Sequence, residues 1–270
     1  MFKQLSRNNY RSNIKTGSLV SIMFVAMGGG HAYGQSNADD NWQYEVMPYL
    51  WATAMKGNVQ AGRLPRTSVD MKFSDIVDVL DFGFMTAFEA RKGRWGFLFD
   101  GMYMKVSDSA TASRAGIGLS VDAKMQLKQS MVAAAVAYRA IEGNTPVDII
   151  GGARYNKIDA DAKIDTSLFG GVAGRTVKRS GDKHWIDPYI GVRATVPINE
   201  KWKGIGYVDA GGAGSGSDLT WQGMAGLIYT YSPSVTINMG YRYMKVDYDD
   251  GGFKYDMAND GLYAGIGFRF

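Results

Sequence analysis

Along the stretch "GLYAGIGFRF", apolar side chains alternate with small or polar ones without a break. Leu262, Ala264, Ile266, Phe268 and Phe270 share one parity, and Gly261, Tyr263, Gly265, Gly267 and Arg269 share the other. A period of two marks a strand, because successive side chains point to opposite faces of a sheet. One face suits lipid, while the other carries glycine, tyrosine and arginine. That combination fits a sheet that is apolar outside and polar and narrow inside.

The alternation recurs upstream. Residues 234–248 set Val235, Ile237, Met239, Tyr241 and Tyr243 against Thr236, Asn238, Gly240 and Arg242. Residues 218–231 oppose Leu219, Trp221, Ala225 and Leu227 to Thr220, Gln222 and Gly226, and residues 185–197 oppose Ile186, Ile190 and Val192 to Asp187, Tyr189 and Arg193. In 147–156, Val147, Ile149 and Ala153 face away from Asp148, Arg154 and Asn156. In 118–139, Leu119, Val121, Met125, Leu127 and Met131 read as outward, and Ser120, Asp122, Lys124, Gln126 and Lys128 as inward. Residues 95–105 turn Trp95, Phe97, Phe99 and Tyr103 outward and Asp100 inward, and weaker runs at 83–91, 202–210 and 42–55 bring in Glu89, Asp209 and Glu45.

Short connections at 91–95, 140–146, 198–202 and 231–234 alternate with long ones at about 56–82, 106–117, 164–184, 211–217 and 249–260. The pattern predicts an all-β fold: an antiparallel transmembrane β-barrel of about ten strands, within a range of eight to twelve, with short periplasmic turns and longer extracellular loops. The segment 56–82 reads as an extracellular excursion, with a possible strand at 67–73 and then a short helix capped by Ser74 or Asp75. A strand at 67–73 that joined the wall would need a partner to keep the number even, which makes twelve the alternative count.

The start of the chain predicts export. Lys3, Arg7, Arg11 and Lys15 precede the apolar run "LVSIMFVAM", and small residues follow at Ala32 and Gly34, so residues 1–34 read as a signal peptide cleaved after Gly34. That run is far shorter than the roughly 20 residues a membrane helix needs. Residues 35–270 then form a single barrel domain in the outer membrane of a Gram-negative bacterium. Without the leader, 26 basic residues balance 26 acidic ones, so the surplus positive charge of the whole chain points to no nucleic-acid partner. Cysteine is absent, which excludes disulfides and thiolate metal sites.

The stretches "MPYLWA", "FSDIVDVLDFGFMTAFEARKGRWGFLFDGMY", "HWIDPYIGVR", "DAGGAGSGSDLTWQGMAGLIYTYS" and "MGYRYMKVDYDD", with the closing "GIGFRF", resemble a large family of little-characterised proteobacterial outer-membrane β-barrel proteins. The resemblance covers most of the chain after the leader. It implies the barrel and the location, and carries no substrate or catalytic residue. A terminal aromatic of this kind resembles the signal read by the barrel-assembly machinery, which implies that role for Phe268 and Phe270.

Strand parity predicts a charged lumen lined by Glu45, Glu89, Asp100, Lys124, Lys128, Asp148, Arg154, Asp187, Arg193, Asp209, Arg242 and Arg269. Side chains can occupy most of the interior of so small a barrel, and buried ions are tolerable only when paired. The expected lumen is therefore plugged by paired charges, and its mixed signs argue against an ion filter. The expected role is envelope integrity or surface interaction by a monomer whose partners are outer-membrane lipid, lipopolysaccharide and, during biogenesis, the assembly machinery. No cofactor, metal or enzymatic activity is expected. Two other readings remain open: a narrow channel for small polar solutes, and a lipid-modifying or proteolytic enzyme at the rim. The enzyme reading rests on His184 beside Asp182 and Asp187, with no second histidine after the leader. Acidic clusters at Asp75, Asp78 and Asp81, at Asp159, Asp161 and Asp165, and at Asp247, Asp249 and Asp250 read as solvated loops or as weak divalent-cation sites. The basic stretch 175–183 reads as a solvated loop or a contact for lipid phosphate.

Overall fold

A computed structural model describes residues 41–61, 66–114, 119–168 and 173–270. The expected signal peptide over 1–34 lies outside the described residues. The elements run β1 (Gln43–Ala61), β2 (Thr67–Met71), α1 (Phe73–Val79), β3 (Leu80–Lys92), β4 (Trp95–Arg114), β5 (Leu119–Ile141), β6 (Val147–Leu168), β7 (Ala173–Pro197), β8 (Trp202–Gly212), β9 (Leu219–Ser232), β10 (Val235–Asp250) and β11 (Phe253–Arg269). Consecutive strands pair antiparallel, and β11 closes on β1, from Glu45 opposite Arg269 to Ala61 opposite Phe253. The sheet is an all-β antiparallel transmembrane barrel, as its alternation implies.

The strand at 67–73 does pair, yet it does not bring the wall to twelve. On its other edge, β1 pairs with β3 through Gln43–Pro48 and with β2 through Met55–Val59. The two short partners stand one above the other along a single edge. Ten strands thus complete the ring, and β2 is an eleventh that continues the edge above β3 alongside the upper part of β1. Between β2 and β3 lies α1, whose Ile76 is buried against the interior. Its N-cap is Lys72 rather than Ser74 or Asp75; Asp75 instead accepts the Lys72 backbone N–H at 3.0 Å from the helix's first turn.

Three of the expected long loops are strand. β4 continues to Arg114, β6 and β7 cover most of 164–184, and β10 and β11 meet at a tight Gly251–Gly252 turn. Both glycines have positive φ, 58° and 86°, as such a two-residue turn requires. The outward apolar pattern stops where lipid stops, but backbone pairing does not. In 211–217 a genuine short turn remains, and it folds inward: Ser217 is fully buried.

Outward side chains form the apolar belt, among them Leu50, Phe82, Phe84, Phe97, Ile186, Ile190 and Leu262, all exposed. Aromatic pairs border it, with Trp95–Tyr138 and Trp202–Tyr229 toward the end that holds Tyr44 and Phe270, and Trp221–Tyr243 and Phe82–Tyr103 toward the other. From Trp95 to Tyr103 the strand rises roughly 27 Å, in keeping with a tilted crossing of an apolar band about 25 Å tall. At the Tyr44 end, Phe270 exchanges both backbone bonds with Tyr44 at 3.0 Å, and their rings stack at 5.7 Å.

Glycines on the inner face make room for large neighbours. A Cβ at Gly226 would lie 2.3 Å from the Tyr263 hydroxyl, and one at Gly240 would lie 2.8 Å from that ring. We expect Gly226→Ala to lower barrel stability by about 1–3 kcal/mol, the usual cost of overfilling a packed interior. Heat-dependent mobility of the folded band on gels measures this, and an unshifted transition would contradict the packing described.

Candidate functional site

The lumen has two tiers. The tier nearer Phe270 is polar and starts at Glu45, which accepts from Arg269 Nε at 2.7 Å and from Thr236 Oγ1 at 3.2 Å. Above it, three guanidiniums surround two carboxylates. Arg193 reaches Glu89 at 2.7 and 2.9 Å and Asp148 at 2.8 Å; Arg91 donates to both at 2.9 Å, and Arg139 donates to Asp148 at 2.7 Å. Glu89 and Arg193 come from β3 and β7, nearly opposite in the ring, so their contact spans the lumen.

A second network crosses at mid-height. Arg242 donates to Asp100, to the Tyr49 hydroxyl and to Gln222 Oε1, each at 3.0 Å. Gln222 passes the chain to Asp209 at 2.6 Å, and Arg154 holds Asp209 at 2.8 and 3.1 Å. Tyr207 also donates to Asp209, and Tyr49 to Asp100 at 2.6 Å. Each guanidinium additionally lies 4.8 Å from an aromatic ring, Arg154 over Tyr189 and Arg242 over Trp51. Arg154 and Asp187 are 0% exposed and Asp209 2%. Among the described residues, no cation pairs with Asp187. Its carboxylate accepts instead from the Ser217 N–H and hydroxyl at 2.7 and 2.8 Å, Trp185 Nε1 at 3.0 Å and Asn156 at 3.2 Å. These bonds tie the inward turn before β9 to the neighbouring strands β7 and β6.

The other tier is apolar. Met55, Met85, Met102, Met104, Met131, Met244 and Met257 are buried with Trp51, Trp185, Tyr248 and Tyr255. Trp185 stacks on Tyr248 at 4.2 Å and meets Tyr255 at 6.0 Å. Unbranched thioethers fill irregular gaps between aromatic rings.

Ten of the twelve expected lumen charges face inward. Lys124 and Lys128 do not. On β5, Met131, Ala133, Ala135 and Ala137 are buried, and Lys124 and Lys128 have the opposite parity, opposite Lys163 and Asp159 of β6. Beyond the membrane the outer face meets water, so charge moves outside and Met131 and Leu127 turn in. Arg91, Arg139, Tyr49, Tyr207 and Gln222 complete the networks without having been singled out in the sequence. Arg91 shares the parity of Glu89, which is the sequence feature that marks it, whereas Arg139 shares the parity of Met131, which the alternation reads as outward, so nothing in the sequence pattern marks it.

His184 also lies elsewhere than expected. It sits mid-strand in β7 on the outer face, opposite Lys157, with its Nδ1 4.0 Å from Asp182 and its ring 6.3 Å from Tyr155. Asp187 points the other way, into the lumen, so the two do not form one site. Several acidic groups of the former loops are paired: Asp81 with Lys105 at 3.3 Å, Asp159 with Lys157 at 3.0 Å, Asp165 with Lys163 at 2.7 Å and Asp250 with Lys183 at 3.2 Å. The hydrogen bonds from Lys163 and Thr176 hold the Asp165 carboxyl below its ordinary range. Among the described residues, no group of three or more carboxylate or histidine side chains is placed to hold a metal ion.

Fold and lumen together define the outer-membrane β-barrel class. Among solved structures, the outer membrane protease OmpT from Escherichia coli shares the fold, with a TM-score of 0.58 at 12% identity, covering 87% of this chain and 99% of that one. Ail, the attachment invasion locus protein of Yersinia pestis, matches at 14% identity and a TM-score of 0.32, over 86% of this chain and 99% of its own. Neisserial surface protein A matches at 14% identity and a TM-score of 0.32, over 85% and 97%. No protein-family model matches the chain, and no curated protein matches it in sequence. At such identity the likeness to OmpT is one of fold alone.

The Arg154–Asp209 pair provides a direct stability test. Arg154→Met leaves a buried carboxylate without its cation and should cost about 3–5 kcal/mol, whereas Arg154→Met with Asp209→Leu should recover much of the loss. Urea titration of folded protein in detergent reads both. A double variant as weak as the sum of the singles would contradict direct pairing.

Proposed function

We propose that this chain is an outer-membrane protein of a Gram-negative bacterium with a non-conducting lumen, acting in surface interaction or envelope integrity. Export by the leader over 1–34, and insertion by the barrel-assembly machinery as a monomer among lipid and lipopolysaccharide, belong to the same reading. One observation carries it: charge networks cross the interior at two heights beneath a methionine and aromatic layer. A solute would have to break buried ion pairs and then displace packed apolar side chains. A wet channel instead keeps lining groups solvated along a continuous path.

With the lumen closed, chemistry is left to the outside. Strands β4 to β7 continue well past the apolar belt as a four-stranded sheet with a charged outer face, whose registers run unbroken from Arg114 opposite Leu119 to Leu168 opposite Ala173. This part of the barrel is taken as extracellular, because outer-membrane barrels place short turns in the periplasm and their longer segments outside. The outward position of His184, apart from Asp187, supports a non-catalytic role.

Planar-bilayer recording tests the reading. Purified wild type should give no steady conductance, and Asp100→Ala with Arg242→Ala should introduce a leak. A stable wild-type conductance whose ion preference those changes re-tune, with melting unaltered, would establish the channel instead.

A further inference from the structure

Because the registers from β4 to β7 are continuous, outward side chains on the tall sheet fall into rows that cross the strands. One row places Lys124, Lys163 and Lys178 directly abreast on β5, β6 and β7. The next row toward the membrane holds Gln126, Asp161 and Ser180 on the same strands. The two rows wall a groove of about 780 Å³, floored by the backbone between them and bounded at its β4 end by α1.

Like charges directly opposite on neighbouring strands are destabilising, and this row opposes them twice. The carboxylates of the adjoining row are engaged: Asp165 takes Lys163 at 2.7 Å and the Thr176 hydroxyl at 2.6 Å, and Asp122 takes the Thr111 hydroxyl at 2.6 Å. Among the described residues, Lys124 and Lys178 have no ion pair, and Lys124 and Lys178 are exposed. Two ammonium groups outside any ion pair, Lys124 and Lys178, therefore flank a third along one wall, and the groove's lining adds Arg179, Gln126, Ser180 and the carboxylates of Asp78, Asp108 and Asp161.

We propose that this groove binds an anionic saccharide, with its phosphate, sulfate or carboxylate groups at Lys124 and Lys178 and its hydroxyls at Gln126, Asp161 and Ser180. The inference rests on the reading that the tall sheet stands outside the membrane. Lys163 follows Tyr155, the last ring of the outward belt on β6, by roughly 27 Å of strand. That places the groove beyond the lipid phosphates and level with sugars carried on them. Such an anion also relieves the repulsion among the lysines, which is the physical reason for a row of like charges to persist. Two sources share this chemistry: the phosphorylated core of a glycolipid in the same leaflet, and a sulfated glycan arriving from outside.

Binding by the purified, folded protein in detergent separates them. The probes are a lipopolysaccharide with a phosphorylated inner core, the same lipid stripped of its core sugars, and a heparin-derived hexasaccharide. We expect each lysine removed by Lys124→Gln, Lys163→Gln or Lys178→Gln to weaken binding about fivefold, with the core-stripped lipid unaffected and Lys201→Gln, at a periplasmic turn, without effect. Loss confined to the core-bearing lipid assigns the leaflet as the source; loss confined to the hexasaccharide assigns an external glycan; loss of both supports the shared chemistry. Ser109→Asp, which puts a carboxylate beside Lys124 and leaves the lysines in place, should weaken the same probes. A wild type that binds neither sugar-bearing probe, or a folded triple variant that binds them as tightly as wild type, would overturn the proposal. Neither result bears on whether the lumen conducts, which the bilayer recording decides separately.

Discussion

The pairing of arginine with carboxylate across the lumen is the interaction on which the rest of this barrel depends. An arginine enclosed on every side is tolerable only if its charge is met and its donors are used. Arg242 meets that demand by joining β10 to β4, β1 and β9, and Arg154 has its charge met by Asp209 of β8 while its Nε is left without a partner among the described residues. Lipid supplies no hydrophobic drive to hold the strands around that interior, so the contacts across the lumen add to the ladder bonds in holding the ring to one shape. The glycines beneath Tyr263 belong to the same solution, since only a wall without side chains there leaves space for so large a ring.

Where the wall leaves the membrane, the demand reverses. Outside the lipid the outer face is wetted and the inner face is the drier one. The protein answers by exchanging the faces without changing the fold: Met131, Ile158 and Trp185 turn in, while Lys128, Asp159 and Lys163 turn out. The methionine tier and the charged outer rows are two consequences of one boundary.

The same boundary explains what could be read from the sequence. Within the belt, alternation sorted the faces of β6, β7, β9, β10 and β11 correctly, because an apolar outward set leaves its opposite parity as lumen. Arg154, Asp187, Asp209 and Arg242 follow directly from that. Along β5 the rule that charge lies inside failed at Lys124 and Lys128, which lie past the lipid edge. The loops expected at 106–117 and 164–184 failed for a related reason. A strand wetted on its outer face, such as "IDADAKIDTS", shows no lipid-facing pattern, and only cross-strand pairing keeps it extended. The place of β2, stacked above β3 on one edge of β1, depends on register rather than on composition, and alternation contains no information about it.

The central claim, that the lumen arginines are paired and shut off from water, is tested most directly at their own protons. Nitrogen-15 spectra of selectively labelled arginine in the detergent-solubilised barrel resolve side-chain N–H groups whose exchange with water is slow. The account predicts protected signals that persist at alkaline pH and that are lost singly in Arg154→Met and Arg242→Ala. Exchange of those protons at the rate of free arginine would mean that water fills the interior, and would contradict the paired, closed lumen.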